Sequence, residues 1–267
     1  MGNQHQGFVF SSFVKSHPGK VRPHNEDRAS GWDESGVWVV ADGMGGHEAG
    51  DIASQMVIDG IKEYLDFTPS SFVDSDGLIA ALERINLSIL EYSQRCHLGK
   101  TVGTTVVVLL IKEGLFHCLW LGDSRMYLMR HGHFARKTRD HSQVMEMVDQ
   151  GLIQERDAEN HPLSNVITRA LGVSSDLVVS QVSGQLLVGD VFLLCSDGLT
   201  KELSDNEIAK CLSANDINES GLAMMHSALV KGASDNVSCV VTKVEFEPQQ
   251  STRNRDDDTV PVFAHRS

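Results

Sequence analysis

The sequence lacks the usual marks of a secreted or membrane protein. Among 267 residues there are only five cysteines, with no CxxC pair, and six prolines. Cysteines that are odd in number and widely spaced favour reduced thiols over a disulfide framework. No apolar run approaches the roughly 18 residues that span a bilayer, and the N-terminal segment has no signal-peptide pattern. We therefore expect a soluble, cytoplasmic protein that does not bind membranes.

Basic residues are also scarce. Lys and Arg number 23 against 36 Asp and Glu, which gives a formal net charge of −13. The segment 245–267 holds five acids and three bases, a net of −2, so the other −11 lies on the body of the chain. Proteins that bind nucleic acids need a basic surface to neutralise phosphates. The charge balance therefore argues against a nucleic-acid partner and against a nuclease.

The apolar residues make up 41% of the chain, which suffices for a hydrophobic core that needs no disulfides. Three cysteines, Cys118, Cys195 and Cys239, lie inside apolar runs, and we expect them to be buried, inert thiols.

Short β-branched segments separated by turns predict antiparallel strands. Residues 104–111 and 115–122 flank Lys112-Glu113-Gly114, and RMYLMR and HFARKT flank His131-Gly132, so both pairs have the pattern of a hairpin. Further strands are predicted at 37–43 and within VVSQVSG, DVFLLCSDG and NVSCVVTKVEF. Strands linked by turns favour antiparallel sheets over a parallel, doubly wound sheet.

Four segments have helical patterns. Apolar residues recur near the 3.6-residue period over 48–65 and 76–95. A capping box at 204–207 predicts a third helix, and Asn218 is the expected start of a fourth. Each helix has one apolar face, so we expect the helices to cover the outer faces of the sheets, in an α+β fold.

Two stretches lack a regular pattern. Residues 141–176 contain no clean strand, which is more typical of a functional flap than of packed core. From residue 247 onward polar and charged residues dominate, which predicts a disordered tail. Its acidic run, 256–259, is either a docking segment or, as we favour, a solvated end.

Acidic residues stand where the apolar strands stop. Each one alone would be read as a turn or cap residue. If antiparallel strands bring them into one cleft, their mutual repulsion must raise their pKa values or draw in cations. A set of ligands made only of oxygen selects Mg²⁺ or Mn²⁺ over Zn²⁺. The acids are Asp42, Asp123 and Asp197 at strand ends, Asp235 at a strand entrance, and Glu26 and Asp27 in HNEDR.

A glycine-rich turn and one arginine accompany these acids. Asp42 opens DGMGGHEAG, where the absence of side chains leaves the Gly43 carbonyl free to approach an ion. The glycines fit neither of the two glycine-rich spacings that bind nucleotides, GxGxxG and the P-loop. A turn with a purely structural role remains an alternative. Arg22 precedes Pro23, which favours an extended conformation. Its guanidinium is suited to hold two phosphoryl oxygens, and the alternative is a solvated surface side chain.

Together these motifs resemble a known family. GKVRPHNEDR, VVADGMGGHEAGDIAS, TVGTT, LGDSRMYL, TRDHS, HPLSNVITRALG, LLCSDGLTKEL and SDNVSCVV are similar to motifs of the metal-dependent serine/threonine protein phosphatases of type 2C (PPM), in their bacterial form. The match runs in order over 11–246. The resemblance implies a central β-sandwich of two antiparallel sheets flanked by helices. It also implies a catalytic domain over 1–246, with the flap at 141–176, followed by the tail at 247–267.

The implied activity is hydrolysis of phosphoserine and phosphothreonine in proteins. Water activated by two Mn²⁺ or Mg²⁺ ions would attack phosphorus without a covalent intermediate, and a third, weaker ion is possible in this family. The implied metal ligands are Glu26, Asp42, Gly43 through its carbonyl, Asp123, Asp197 and Asp235. Asp27 would orient the attacking water and Arg22 would bind the substrate phosphate.

One departure from the family affects the leaving group. Eukaryotic members carry a histidine directly after the Asp-Gly pair, where a general acid is proposed, and here that position is Met44. His47, a metal-bound water, or no group at all would protonate the leaving oxygen.

The expected partners are phosphorylated proteins and a cognate serine/threonine kinase, in a signalling role, and we expect a monomer. Two other functions stay open at this point. A module that binds phosphoproteins without turnover would tolerate loss of some of the acids, all of which are present. A dinuclear nuclease conflicts with the charge balance.

Overall fold

Two antiparallel sheets form the centre of the computed structural model, which describes residues 7–45, 49–96, 101–158, 161–214 and 216–246. One sheet has the order β1-β11-β10-β7-β8, and the other has the order β2-β3-β5-β6-β9 with β4 beside β3. The strands are β1 (Phe8–His17), β2 (Asp27–Trp32), β3 (Val37–Met44), β4 (Gly103–Thr104), β5 (Val106–Lys112), β6 (Leu115–Leu121), β7 (Arg125–Arg130), β8 (His133–Arg136), β9 (Ser180–Gln185), β10 (Val191–Cys195) and β11 (Val237–Phe246).

Helices cover the outer face of each sheet. Ile61 of the first helix and Leu82 of the second pack with Val39 of β3. On the other sheet, Met224 packs with Val241 of β11. The helices are α1 (Ala49–Phe67), α2 (Ser75–Cys96), α3 (Gln143–Asp149), α4 (Glu155–Ala158), α5 (Asp197–Glu202), α6 (Asp205–Leu212) and α7 (Ile217–Lys231). The predicted α+β sandwich flanked by helices is confirmed.

The two sheets face each other across a separate apolar layer. Alternate residues of β3 serve different layers: Val37 and Val39 face α1 and α2, whereas Trp38 and Val40 face the opposite sheet. Phe192 of β10 meets this inner layer from the other side. Because side chains alternate along a strand, the part of β3 that lies between two apolar layers, Val37 to Ala41, is apolar and buried on both faces.

Both predicted hairpins are confirmed. Lys112 pairs with Leu115, and Arg130 pairs with His133. Both central residues of each turn have positive φ, which matches the handedness of a two-residue hairpin turn. These residues are Glu113 and Gly114 in the first turn, and His131 and Gly132 in the second.

The other helix predictions need one correction. Ser204 and Glu207 form the predicted capping box at the start of α6. The fourth helix, α7, begins at Ile217 with Asp216 as its cap, because the Asp216 carboxylate accepts hydrogen bonds from the backbone N–H groups of Asn218 and Glu219. Asn218 is therefore inside the helix rather than its start.

Besides the short elements β4, α3 and α4, three elements were not predicted. β2 lacks an apolar run, and β1 has only short ones, interrupted at Ser11-Ser12, and is mostly half-buried along its length. The third is α5, whose six residues follow directly after β10 with Ser196 as the only intervening residue.

Of the predicted flap, 141–158 and 161–176 are described. They contain α3 and α4 and no strand longer than single bridges such as Ser142 to Ile167. The predicted tail, 247–267, lies outside the described residues. The three cysteines in apolar runs are buried free thiols, as predicted. Within the described ranges, the helices are all too short or too polar to cross a bilayer.

Candidate metal centre

Strand ends from both sheets meet at a cavity of about 580 Å³. Its wall carries both signs of charge. Three residues of the predicted flap, Asn165, Val166 and Ile167, border it. Among the residues that line it are Arg22, Glu26, Asp42, Gly43, Asp123, Asp197, Lys201 and Asp235. The structure thus brings together every predicted site residue except Asp27, which lies directly beside the cavity next to Asp42.

Asp27 and Asp42 form a cross-strand pair. They are directly opposite each other in the register of β2 and β3, so their side chains share one face of the sheet. Asp27 is fully buried, and its Oδ2 accepts a hydrogen bond of 2.7 Å from the Ser196 hydroxyl. Burial raises the pKa of Asp27 to about 7, although the hydrogen bond from Ser196 opposes that shift. Burial and the neighbouring Asp27 raise the pKa of Asp42 well above its ordinary value.

The backbone around Asp42 is held on both sides. The Asp42 carbonyl accepts hydrogen bonds from the Thr105 N–H (2.8 Å) and the Thr104 hydroxyl (3.0 Å). The next residue, Gly43, donates its N–H to the Glu26 carbonyl at 3.1 Å. A Cβ at Gly43 would overlap the carbonyl oxygen of Gly50, so only glycine fits here. This close contact fixes the start of α1 against the strand that carries Asp42.

Asp123 occupies the turn after β6. It is almost fully buried, and burial together with Asp197 raises its pKa to about 7. The turn is held by His141, whose N–H donates to the Gly122 carbonyl and whose Nδ1 accepts from the Gly122 N–H at 3.1 Å. Burial, followed by Arg169, lowers the pKa of His141 to about 4, so its ring is neutral and suited to accept that bond.

Asp197 and Asp235 are arranged differently, because cations hold them. Lys201 Nζ lies 2.6 Å from Asp197 Oδ2 and 3.1 Å from Asp235 Oδ2. Arg22 Nε lies 3.0 Å from Asp235 Oδ1. Burial alone would raise the pKa of Asp235, but Lys201 and Arg22 outweigh it and lower that pKa. Glu26, at the same wall, has a raised pKa because burial exceeds the effect of Arg22.

Asn236 fixes the loop that carries Arg22 and Glu26. Its Oδ1 accepts a 2.8 Å hydrogen bond from the Glu26 N–H. Its Nδ2 donates to the carbonyls of Pro18 and His24, both at 2.9 Å. Sequence reasoning missed Asn236, His141 and Lys201 as site residues. The spacing of Lys201, four residues after Asp197, could have indicated a contact between the two side chains. That spacing brings side chains together only in a helix, and no helix was predicted there.

The donor atoms fit a hard cation. Two buried carboxylate oxygens, Asp27 Oδ1 and Asp123 Oδ1, have no hydrogen-bond partner among the described residues. Buried polar atoms without partners are uncommon and call for an explanation, such as an ion or water. In the same described part of the chain, no three acidic, histidine or cysteine side chains converge closely enough to hold a metal ion as they stand. Cations already contact two of these acids: Lys201 contacts Asp197 and Asp235, and Arg22 contacts Asp235.

The predicted roles of these side chains stay predictions. His47, one of the open choices for a general acid, lies outside the described residues. Met44 lines the cavity and offers no proton. Arg22 pairs with Asp235 in this structure, so its predicted role in phosphate binding would require it to exchange or share that partner.

Comparison with known proteins assigns the family. The model of the protein phosphatase 2C family matches residues 20–237. The serine/threonine phosphatase stp of Listeria monocytogenes is 33% identical over 233 residues, which cover 84% of this chain and 92% of that protein.

Solved structures agree with this assignment. PppA, a key regulatory component of T6SS in Pseudomonas aeruginosa, is 37% identical with a TM-score of 0.79, over 89% of this chain and 99% of that one. The catalytic domain of the serine/threonine protein phosphatase PstP, in complex with two manganese ions, is 32% identical with a TM-score of 0.80, over the same shares. The chain belongs to the protein phosphatase 2C family, and the prediction of a protein phosphatase is confirmed.

Proposed function

We propose that this chain is a metal-dependent serine/threonine protein phosphatase that hydrolyses phosphoserine and phosphothreonine with water and without a covalent intermediate. The observation that carries the proposal is the meeting of Glu26, Asp42, Asp123, Asp197 and Asp235 at one cavity beside Arg22. Manganese in the PstP structure supports the metal requirement. Both Mn²⁺ and Mg²⁺ suit the all-oxygen donors.

Two divalent ions, with a third, weaker one possible, would supply the charge that lowers the pKa of water and neutralises phosphoryl oxygens. Asp42 would bridge the two main ions, with the Gly43 carbonyl and Glu26 on one side and Asp197 and Asp235 on the other. Asp123 would join Asp197 in holding the third ion. The closeness of Asp27 and Asp42 supports this proposal, because a cation between or beside two neighbouring carboxylates stabilises their charged forms.

The remaining side chains would orient the reactants. Asp27 is held by Ser196 through Oδ2, so its unpartnered Oδ1 is free to accept a hydrogen bond from the attacking water. Arg22 would bind two oxygens of the phosphoryl group in the fork geometry of a guanidinium. The water oxygen forms a bond to phosphorus as the bond to the serine or threonine oxygen breaks. That oxygen takes up a proton, and the products are the free side chain and inorganic phosphate.

The test is phosphate release from a phosphothreonine peptide. We expect turnover with Mn²⁺, none with EDTA, and a loss of at least about a thousandfold in Asp197→Ala, in line with removal of charge stabilisation at a phosphoryl centre. Equal rates in all three would contradict the proposal. Stable retention of the peptide by the Mn²⁺-loaded chain, without turnover, would instead support a binding module.

The cellular setting is a further part of this proposal. A phosphatase acts on phosphorylated proteins, so we infer a cognate serine/threonine kinase, a role in signal transduction and a cytoplasmic location. We also infer that the chain acts as a monomer.

A further inference from the structure

Lys201 lies at the centre of one half of the cleft. Its ammonium contacts carboxylates from two different elements, Asp197 at the start of α5 and Asp235 just before β11. The contact with Asp197 follows from the helix, because residues four apart in a helix are neighbours. The contact with Asp235 follows from the fold, since β11 runs beside β10 and brings residue 235 next to the start of α5.

An exposed helix pair elsewhere in the chain shows what is unusual here. Lys62 and Asp66 are also four residues apart in a helix, and their side chains are 55% and 56% exposed. Lys201 is 34% exposed, and Asp197 and Asp235 are 18% and 23% exposed. Exposed pairs contribute little, whereas a pair withdrawn from water is weakly screened. Lys201 is therefore a persistent part of the cleft rather than a solvated side chain.

Among the described residues, no cation forms a salt bridge with Asp27 or Asp123 in the other half of the cleft. Asp27 and Asp123 each keep a buried oxygen without a partner in the described part of the chain. The half that contains Asp197 and Asp235 has two cations, since Arg22 also binds Asp235, with Nε on Oδ1 and a terminal nitrogen on Oδ2. A divalent ion must therefore displace an ammonium group that is in direct contact with Asp197 and Asp235, whereas among the described residues no such contact is made to Asp27 or Asp123.

We propose that Lys201 is a resident cation that competes with a divalent ion for Asp197 and Asp235, and so sets the metal affinity of that half of the cleft. This inference rests on the proposed function, because those two carboxylates are the predicted ligands of one ion. Lys201 acts here as a positioning residue.

The competition has a simple electrostatic basis. An ammonium 2.6 Å from Asp197 occupies the space that a divalent ion would take, and two positive charges a few ångströms apart repel each other. The four-carbon stem of lysine is flexible, so the ammonium can withdraw toward the open cavity. In the metal-free chain Lys201 offsets the repulsion between the two carboxylates. In the loaded chain its displacement costs part of the binding free energy.

The experiment measures Mn²⁺ binding directly. Full-length chain stripped of metal is titrated with Mn²⁺ by calorimetry, and the binding step of interest is the one lost in Asp197→Ala. For Lys201→Met, which keeps the length and removes the charge, we expect this step to be on the order of tenfold tighter. We also expect a lower Tm without metal and a larger rise in Tm on adding Mn²⁺. Lys62→Met is the matched control, and both quantities should match the wild type.

Lys201→Arg separates charge from shape. It retains a cation, so its Mn²⁺ affinity should stay within a few fold of the wild type. Unchanged or weaker Mn²⁺ binding in Lys201→Met overturns the inference, and so does an arginine variant that binds as tightly as the methionine variant. These outcomes leave the proposed function intact if the wild type releases phosphate with Mn²⁺. A wild type that neither binds Mn²⁺ nor turns over the peptide defeats the proposed function instead.

Discussion

The interior of the sandwich is apolar and the cleft at its end is charged, although the same faces of the same strands supply side chains to both. On β3, Trp38 and Val40 face the opposite sheet, and Asp42 is the next residue on that face. On β10, Phe192 and Leu194 belong to the same layer, and Ser196 follows them in the direction of Asp27. Two residues of a strand span about 7 Å. The change from apolar core to charged cleft therefore takes place between two neighbouring residues on the same face of a strand.

This comparison separates what stabilises the fold from what serves the reaction. Burial of apolar surface stabilises the interior. The cleft does the reverse without metal, because burial raises the pKa values of Asp27, Asp42 and Asp123. A raised carboxyl pKa means that the ionised form is disfavoured in the folded chain. The interior must offset that cost, so the two regions should respond in opposite ways to substitution.

The largest expected effect comes from Asp42→Asn, which removes one charge and keeps the shape. We expect phosphate release to fall by on the order of a thousandfold, because the charge that would hold two ions is gone. The metal-free chain should become more stable at neutral pH, since the repulsion with Asp27 is removed. Peptide turnover and a urea unfolding midpoint with EDTA measure the two effects.

Asp66→Asn is the control for that substitution, because Asp66 is an exposed acid on α1. It should change neither quantity beyond experimental error. A variant Asp42→Asn that is both inactive and less stable without metal would show that the carboxylate supports the fold, and the contrast between cleft and interior would fail.

Phe192→Ala tests the other side of the comparison. Phe192 is fully buried between the sheets, with its ring centroid 5.2 Å from that of Phe116. Truncating a buried phenylalanine costs about 3–5 kcal/mol. We expect that loss in urea unfolding, with kcat/KM per folded molecule within about threefold of the wild type. Phe67→Ala, at an 82% exposed side chain, should leave the free energy of unfolding nearly unchanged.

The division between interior and cleft also determines which features could be predicted from the sequence. The strands of the interior were predictable because β-branched runs and turns such as Glu113-Gly114 are local signals. Three acids of the cleft, Asp42, Asp123 and Asp197, were predictable because each ends such a run. Their convergence could only be inferred on the assumption that antiparallel strands bring those ends together.

Features that depend on distant contacts were not predictable. Asn236 holds the loop before β2 through three hydrogen bonds to residues more than two hundred positions away, and no local pattern records them. Lys201 reaches Asp235 only because α5 forms and β11 pairs with β10. β1 was missed because its side chains are half-buried on both faces, so it has no clear alternation.

The smallest expected effect is a pH dependence of stability in the metal-free chain. The pKa of Asp27 is about 7 when folded, against 3.8 ordinarily, so between these values the folded chain binds more protons than the unfolded chain. The free energy of unfolding then falls as pH rises through that window, by on the order of 1 kcal/mol per pH unit from this group.

The variant Asp27→Asn tests this expectation, because it keeps an acceptor for the Ser196 hydroxyl and removes the titrating group. Urea unfolding with EDTA at pH 5.5, 6.5 and 7.5 should show a shallower fall in this variant than in the wild type. The lowered pKa of His141 works in the opposite direction, but it contributes equally to both chains and cancels in their difference. Parallel pH profiles for the two chains would mean that Asp27 stays ionised at little cost. Its burial would then not lower the free energy of unfolding, contrary to the comparison between cleft and interior.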